Sequence, residues 1–276
     1  MSGPVAPPSG EWTERAIWDA VDAWRWIPPT ATRVAADGYE LVVTPGSYAL
    51  TYVYGFRVEP PERADERLEE IRRRIQELGG NGTRFQWTPR SRPADLADRL
   101  ERHGYRSVAE TEVFVWELRD PRGAPRLPDF RPTPEIDVRE VTSRSEFEEF
   151  LALAPPIFGD PAPTGTTLDA FVGAFERDLR DRGHSDRYLA WEGRKAIGRA
   201  AFELAGPVAR FWGSGVLESH RGRGVYGTMV RARCEEAIGR GGRIVLVLAN
   251  VGTSGPILRH HGFRPVGAVR IFEARF

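Results

Sequence analysis

The residues best suited to chemistry in this chain lie in one run, Gly215-Val-Leu-Glu-Ser-His-Arg-Gly-Arg-Gly-Val-Tyr-Gly-Thr228. Val208 to Leu217 reads as an apolar strand, and Val225, Met229, Val230, Cys234, Ala237 and Ile238 recur at helical spacing. The glycines therefore stand where a strand breaks and a helix begins. Unpaired N–H groups of a first helical turn point outward there, and the positive end of the macrodipole favours an anion. Gly222, Gly224 and Gly227 allow backbone to come close to a ligand, so the loop suits a pyrophosphate. A solvated Arg-Gly-Arg-Gly turn is the plain alternative.

Other residues invite roles less directly. Glu203, near the end of a strand, can serve as a general base, directly or through water, although carboxylates at strand ends are more often merely solvated. Cys234 sits on the apolar stripe of the helix after the loop, where packing explains it better than nucleophilic attack. His260 and His261 point about 100° apart if helical, so they do not converge on a metal ion, and no metal site is expected.

The elements that must position these residues follow in order. Ile244 to Leu248 is a short apolar run typical of a buried strand, followed by Asn250, a glycine-serine turn, a short helix from about Pro256 to His261, and Gly262-Phe263. Strand, Arg-x-x-Gly loop, helix, strand, Asn, short helix and Gly-Phe together resemble the acyl-CoA-binding core of the GNAT superfamily of N-acyltransferases, over about Ile136 to Phe276. The upstream part agrees. Ile136 to Val141 alternates as a strand, Ser145 to Leu153 and Leu168 to Arg180 read as helices, and Arg187 to Trp191 pairs with Ala196 to Leu204 across Glu192-Gly-Arg-Lys195. The superfamily loop Arg-x-x-Gly-x-Gly/Ala maps onto Arg221, Gly224 and Tyr226, so a phenol stands at a position usually kept small.

The resemblance implies transfer of an acyl group from acetyl-CoA to an amine by direct attack, without a side-chain nucleophile. Backbone near Val216 and Leu217 would hold the pantetheine arm and the oxyanion, and the loop Arg221, Gly222, Arg223, Gly224, Val225, Tyr226, Gly227 and Thr228 would hold the pyrophosphate. Asn250 matches a cofactor-contacting position, with a turn residue as the alternative. The tyrosine that often protonates the leaving thiolate would fall at Leu258, which has no proton to give. Tyr226 or water is the expected donor, and His261 the less favoured one.

A fainter copy of the unit lies upstream. Leu100-Glu-Arg-His-Gly-Tyr-Arg106 matches Leu258-Arg-His-His-Gly-Phe-Arg264 at the constant offset 262 − 104 = 158. Tyr48, Leu50, Tyr52, Tyr54, Phe56 and Val58 alternate as a strand, Leu68, Ile71, Ile75 and Leu78 form a helical stripe, and Phe85 to Trp87 lies in the next strand. In place of a glycine loop the copy has Glu59-Pro-Pro-Glu-Arg-Ala-Asp-Glu66, whose prolines remove N–H donors and whose carboxylates would repel phosphate. The expected fold is α/β (α+β): two GNAT-like domains in tandem, each a mixed, mainly antiparallel splayed sheet flanked by helices. Residues 1–120 form a degenerate first domain, the proline-rich stretch 121–134 a linker, and residues 135–276 the catalytic domain.

Composition bounds the rest. With 276 residues, 41% of them hydrophobic, and 8 tryptophans, there is material for two cores. No run approaches the ~18 apolar residues of a membrane span, and the opening Met1-Ser-Gly-Pro-Val-Ala-Pro-Pro is unlike a signal peptide. One cysteine permits no internal disulfide. A cytoplasmic protein, monomeric or homodimeric, is expected. The balance of 39 basic and 39 acidic residues argues against a nucleic-acid partner. Ala154 to Thr167, proline-bearing and nearly uncharged, matches the segment that often lines the acceptor site, and suits a small, partly apolar amine. A non-catalytic acyl-CoA-binding scaffold, and an enzyme using a longer acyl group or other acyl chemistry, remain the alternatives.

Overall fold

A computed structural model of the protein describes residues 12–44, 50–120 and 122–276. The first half contains α1 (Glu14–Asp22), β1 (Thr32–Ala36), β2 (Tyr39–Val43), β3 (Thr51–Tyr54), α2 (Ala64–Glu77), β4 (Gly82–Trp87), α3 (Leu96–Arg102) and β5 (Arg106–Glu117). The second contains β6 (Ile136–Glu140), α4 (Arg144–Ala152), α5 (Ala154–Phe158), α6 (Gly165–Arg182), β7 (Arg187–Glu192), β8 (Lys195–Ala205), β9 (Val208–Val216), α7 (Val225–Gly239), β10 (Ile244–Asn250), α8 (Ser254–His260) and β11 (Arg264–Arg275).

The repeat read from the sequence is geometric as well. β3–α2–β4–α3–β5 and β9–α7–β10–α8–β11 run in the same order, and α3 and α8 end alike. Gly104 and Gly262 both take φ of +81°, Tyr105 N–H donates to Leu100 O, and Phe263 N–H donates to Leu258 O, each at 3.0 Å. Both ends are left-handed glycine caps that close the helix and turn the chain into a strand. β3 stops at Tyr54, earlier than Val58, because Gly55 adopts φ of +65°. Tyr48 lies outside the described residues.

What the local pattern does not carry is how the halves join. The eleven strands of the described residues form one sheet in the order β1-β2-β3-β4-β11-β5-β10-β9-β8-β7-β6. The closing strand of each repeat has crossed to the other: β5 pairs with β10 from Thr111 to Glu117, and β11 pairs with β4 from Arg270 to Arg275. β5 and β11 pair antiparallel at the centre. One face carries α2, α3, α7 and α8 over two apolar cores, built around Phe85 and Phe272 and around Phe114 and Phe211. On the other face, α1 packs on Val113, Val208 and Leu246, and α4 and α6 close a core with Phe147 and Phe175.

The proline-rich stretch is docked rather than free. Trp116 Nε1 donates to Arg126 O at 3.0 Å, and Phe130, 3% exposed, enters the core beneath α7 and α8. The expected acceptor segment also gains an element, since Pro155 and Pro156 sit in the first turn of α5, where their missing N–H groups cost nothing. α4 begins at Arg144 because Ser143 and Glu146 form a capping box.

Candidate active site

β9 and β10 run parallel from the pair Val208–Ile244 to the pair Phe211–Val247, and then separate. Two features of β9 drive the separation. Arg199 faces Gly215 and Ala201 faces Trp212, so Gly213 and Ser214 oppose Ala200 alone in a bulge, with Gly213 at φ of +59°. A bulge bends its strand and sharpens the twist. The result is a gap between Trp212–Val216 and Leu248–Asn250, opening towards the loop that follows β9.

Two backbone donors were expected there, and the register separates them. Leu217 N–H donates to Ile197 O at 2.9 Å, so its hydrogen is spent on β8. Gly198 and Val216 are then the non-hydrogen-bonded pair beside it. The Val216 N–H and C=O point away from β8 into the gap, and Arg221 Nε meets that carbonyl at 3.3 Å.

The loop presents a larger set. Gly222 and Gly224 hold φ of +74° and +78°, and no side chain caps α7. Thr228 N–H donates to Gly224 O, but the N–H groups of Gly222, Arg223, Gly224, Val225, Tyr226 and Gly227 donate to no acceptor among the described residues. Six successive free donors at a helix N-terminus form an anion cradle.

The reasons for the individual residues differ from the sequence expectation. Only Gly222 faces open space; a Cβ at Gly224 would stand 2.6 Å from Thr133 Oγ1, and one at Gly227 would stand 2.5 Å from the Phe130 ring. These two glycines serve the docked strap. Thr228 does so too: its hydroxyl donates to Gly224 O and accepts from Thr133 N–H, each at 3.1 Å, and is not turned to a ligand. Arg223 is ion-paired with Glu192, which also meets His220 Nε2 at 3.4 Å. The arginine and then the histidine hold the Glu192 carboxyl below its ordinary value.

Asn250 serves its own turn. Its Oδ1 accepts from Gly252 N–H at 2.9 Å and from Thr253 Oγ1 at 3.3 Å. Tyr226, half-buried, packs between the cores on the two sides of the gap. Because α7 follows β9 and α8 follows β10, this side chain crosses the mouth of the gap. Burial pushes the phenol above its ordinary value, with Arg233 and Ser254 acting against it.

Glu203 is elsewhere. It shares a face of β8 with Ala201, the face carrying α1, α4 and α6, opposite α7. Arg210 Nη1 holds its carboxylate at 2.8 Å and donates through Nη2 to Ala20 O of α1 at 3.2 Å. From its partner Arg210, six residues of β9 lead to Val216, about 20 Å at strand rise. Nearer the gap on that face stands α5: a Cβ at Gly215 would meet Ile157 at 2.2 Å and the Phe158 ring at 3.0 Å. Cys234 is buried and its thiol is pushed up to about 12, so it is a packing residue. His261 donates through Nδ1 to Asp129 O at 2.7 Å and lies 3.9 Å from the Phe130 ring. Thr133, Phe130 and Ser254 were missed in the sequence; the apolar Leu127 and Phe130 inside a proline-rich stretch were the available signal.

A splayed parallel pair with an open N-terminal helix loop between its strands defines the acyl-CoA-binding core of the GNAT fold. No family model matches the chain, and no curated protein matches it. Solved structures do. A GCN5-related N-acetyltransferase from Kribbella flavida matches with a TM-score of 0.65 over 94% of each chain, at 17% identity. One from Sphaerobacter thermophilus matches with a TM-score of 0.64 at 19% identity, covering 94% of this chain and 85% of that one. A tandem GNAT protein from the clavulanic acid biosynthesis pathway covers all of this chain and 90% of its own, with a TM-score of 0.58 and 15% identity. The chain has the GNAT fold in its tandem form.

Proposed function

We propose that the chain is an acyltransferase that moves the acetyl group of acetyl-CoA to the amine of a small molecule. The observation that carries this reading is the run of six free N–H groups from Gly222 to Gly227, at the mouth of the gap between β9 and β10. Acetyl-CoA supplies the acyl group as a thioester. The loop holds its pyrophosphate, aided by the macrodipole of α7, and Arg223 exchanges Glu192 for phosphate. The Val216 N–H, fixed by the register, donates into the gap where the arm and the carbonyl oxygen pass. Tyr226 gives a proton to the departing sulfur. The amine's proton leaves to water, since Arg210 holds Glu203 about 20 Å along the strand from Val216.

The acceptor approaches from the opposite face, between α5 and α1. Ile157, Phe158 and Trp212 give that entrance an apolar character, which suits a small amine with an apolar body. The first half contributes α1 as a wall and holds no coenzyme, because Pro60, Pro61 and the acids of the first turn of α2 replace the cradle.

Calorimetry with acetyl-CoA, followed by a thiol-release assay over an amine panel, tests the reading. One site per chain and turnover with an apolar primary amine are expected. Binding without turnover across the panel would make the chain an acyl-CoA-binding scaffold, and turnover only with longer acyl-CoAs would change the donor.

A further inference from the structure

Where the chain leaves β9 for the loop, a buried histidine stands behind the ion pair that a phosphate must break. After Leu217 the backbone makes a single 3-10 turn, Glu218–His220, with His220 N–H donating to Leu217 O at 2.9 Å. The turn exposes Glu218 and Ser219 and leaves His220 only 8% exposed. Each ring nitrogen has a neighbour. Ser219 Oγ lies 2.8 Å from Nδ1, and a Glu192 carboxylate oxygen lies 3.4 Å from Nε2. The same carboxylate is paired with Arg223.

Glu192 is not able to follow Arg223. It ends β7, where its backbone pairs with Ile136 of β6 on one side and with Lys195 of β8 on the other. Arg223 joins this fixed carboxylate to the cradle, with its N–H among the free donors and its guanidinium on Glu192. A phosphate held by the loop therefore lies within one side chain of Glu192. When the guanidinium turns to the phosphate, two negative groups remain near each other, and the imidazole is the group left beside the carboxylate. Like charges at short range repel unless a cation stands with them.

The histidine is built to become that cation. In the neutral ring with its hydrogen on Nε2, Nδ1 accepts from the Ser219 hydroxyl; in the imidazolium, Nδ1–H donates to the same oxygen. A hydroxyl both donates and accepts, so Ser219 fits either charge state without rearrangement.

We propose that His220 is a positioning residue for coenzyme binding: it takes up a proton as Arg223 leaves Glu192 for the pyrophosphate, and the imidazolium then holds the carboxylate in the arginine's place. This rests on the acyl-CoA reading of the loop. No covalent bond to carbon or phosphorus changes; one positive charge moves from carboxylate to phosphate, and a proton from solvent replaces it.

The charges around the ring set the sign of the pH dependence. Among the described residues, Glu192 of β7 faces it directly and Arg223 of the loop acts through that carboxylate. Arg221, next in the chain, is turned to the Val216 carbonyl, and Glu218 of the same turn is exposed. Binding withdraws a positive charge from this group and brings negative charge near it, and both favour the imidazolium. A group that a ligand makes more basic strengthens binding at low pH, and the gain is lost as pH rises. Coenzyme affinity therefore falls from acid to alkaline pH.

Acetyl-dephospho-CoA is the probe, because it keeps the pyrophosphate and lacks the phosphomonoester, which itself titrates near neutrality. Calorimetry in buffers of different protonation enthalpy reads the protons taken up per site. The wild-type chain is expected to take up about half a proton near neutral pH, and its Kd to weaken by about fivefold or more between about pH 6 and about pH 8.5. His220→Asn should bind with a buffer-independent enthalpy and a Kd that no longer follows pH. A His220→Asn chain that is merely less stable, with the proton uptake kept, overturns the proposal. Glu192 has a side chain 35% exposed, so Glu192→Gln tests the link without threatening the fold. It should tighten Kd by about two- to fivefold, the size of an exposed ion pair, and take up fewer protons. Uptake in Glu192→Gln equal to wild type overturns the proposal. Binding by the wild-type chain with no proton uptake overturns it and leaves the acyl-CoA reading standing, whereas a folded chain that binds neither acetyl-CoA nor its dephospho form sinks both.

Discussion

Gly222 isolates the cradle from its surroundings better than its neighbours do. Its left-handed φ strains any side chain by roughly 1–2 kcal/mol, and a β-branched one more, but nothing lies within 4 Å of where a Cβ would stand. Gly222→Val is expected to abolish acetyl-CoA binding in calorimetry while thermal stability falls by the backbone strain alone. Gly224→Val should also lose binding, but with a larger loss of stability, because it collides with Thr133. Intact affinity in Gly222→Val would sink the cradle. His261 belongs to the strap: its bond to Asp129 and its contact with Phe130 are worth about 1–2 kcal/mol, so His261→Asn should lower stability more than turnover. A folded His261→Asn with normal acetyl-CoA affinity and turnover cut ~100-fold would make the histidine the acid instead. The loop and its helix were legible because glycines and helical spacing are local. The partners of Gly224, Gly227 and Thr228 were not, since Thr133 and Phe130 lie about a hundred residues away in sequence and announce themselves only by contact.

The strap is the element that ties this loop to its helix. Residues 126–133 run from Trp116 to the first turn of α7, with Phe130 seated against His261, Phe263 and Gly227, and Arg231 Nη1 donating to Phe130 O at 3.4 Å. Truncating a buried phenylalanine costs about 3–5 kcal/mol, through lost transfer energy and the cavity left behind. Phe130→Ala is thus expected to lower the unfolding free energy by that amount, seen as a lower denaturation midpoint at unchanged slope. It should also weaken acetyl-CoA binding, because Thr133 loses its hold on Arg223 O and Thr228. A small stability change with normal binding would show the strap to be a passive tether. Elements with clean periodicity, such as β7, β8, α7 and β10, could be read from the sequence within a residue or two. α5 could not, because two adjacent prolines read as loop unless their place in a first turn is known.

At the scale of the whole molecule, the exchange of β5 and β11 makes the two halves one folding unit. Alternation shows that a strand has a buried face, but its neighbour in the sheet is chosen by long-range pairing, so two separate sheets and one shared sheet have the same sequence signature. The consequence is specific. The fragment from Glu135 to Phe276 would lack β5, leaving both the outer edge of β10 and the length of β11 unpaired. It would also lack Phe114, Trp116 and Phe130 from the core beneath α7 and α8, and Val113, Val115 and α1 from the core opposite. Exposed edges of that length, flanked by uncovered apolar surface, are sites of aggregation. The fragment alone should be insoluble or inactive. Co-expression with residues 1–134 should restore a soluble complex that binds one acetyl-CoA, as the first half supplies strands but no phosphate cradle. A soluble, fully active fragment would show that the crossed strand is dispensable, and two coenzyme sites per chain by calorimetry would show that the first half has kept what Glu59 to Glu66 are argued to have lost.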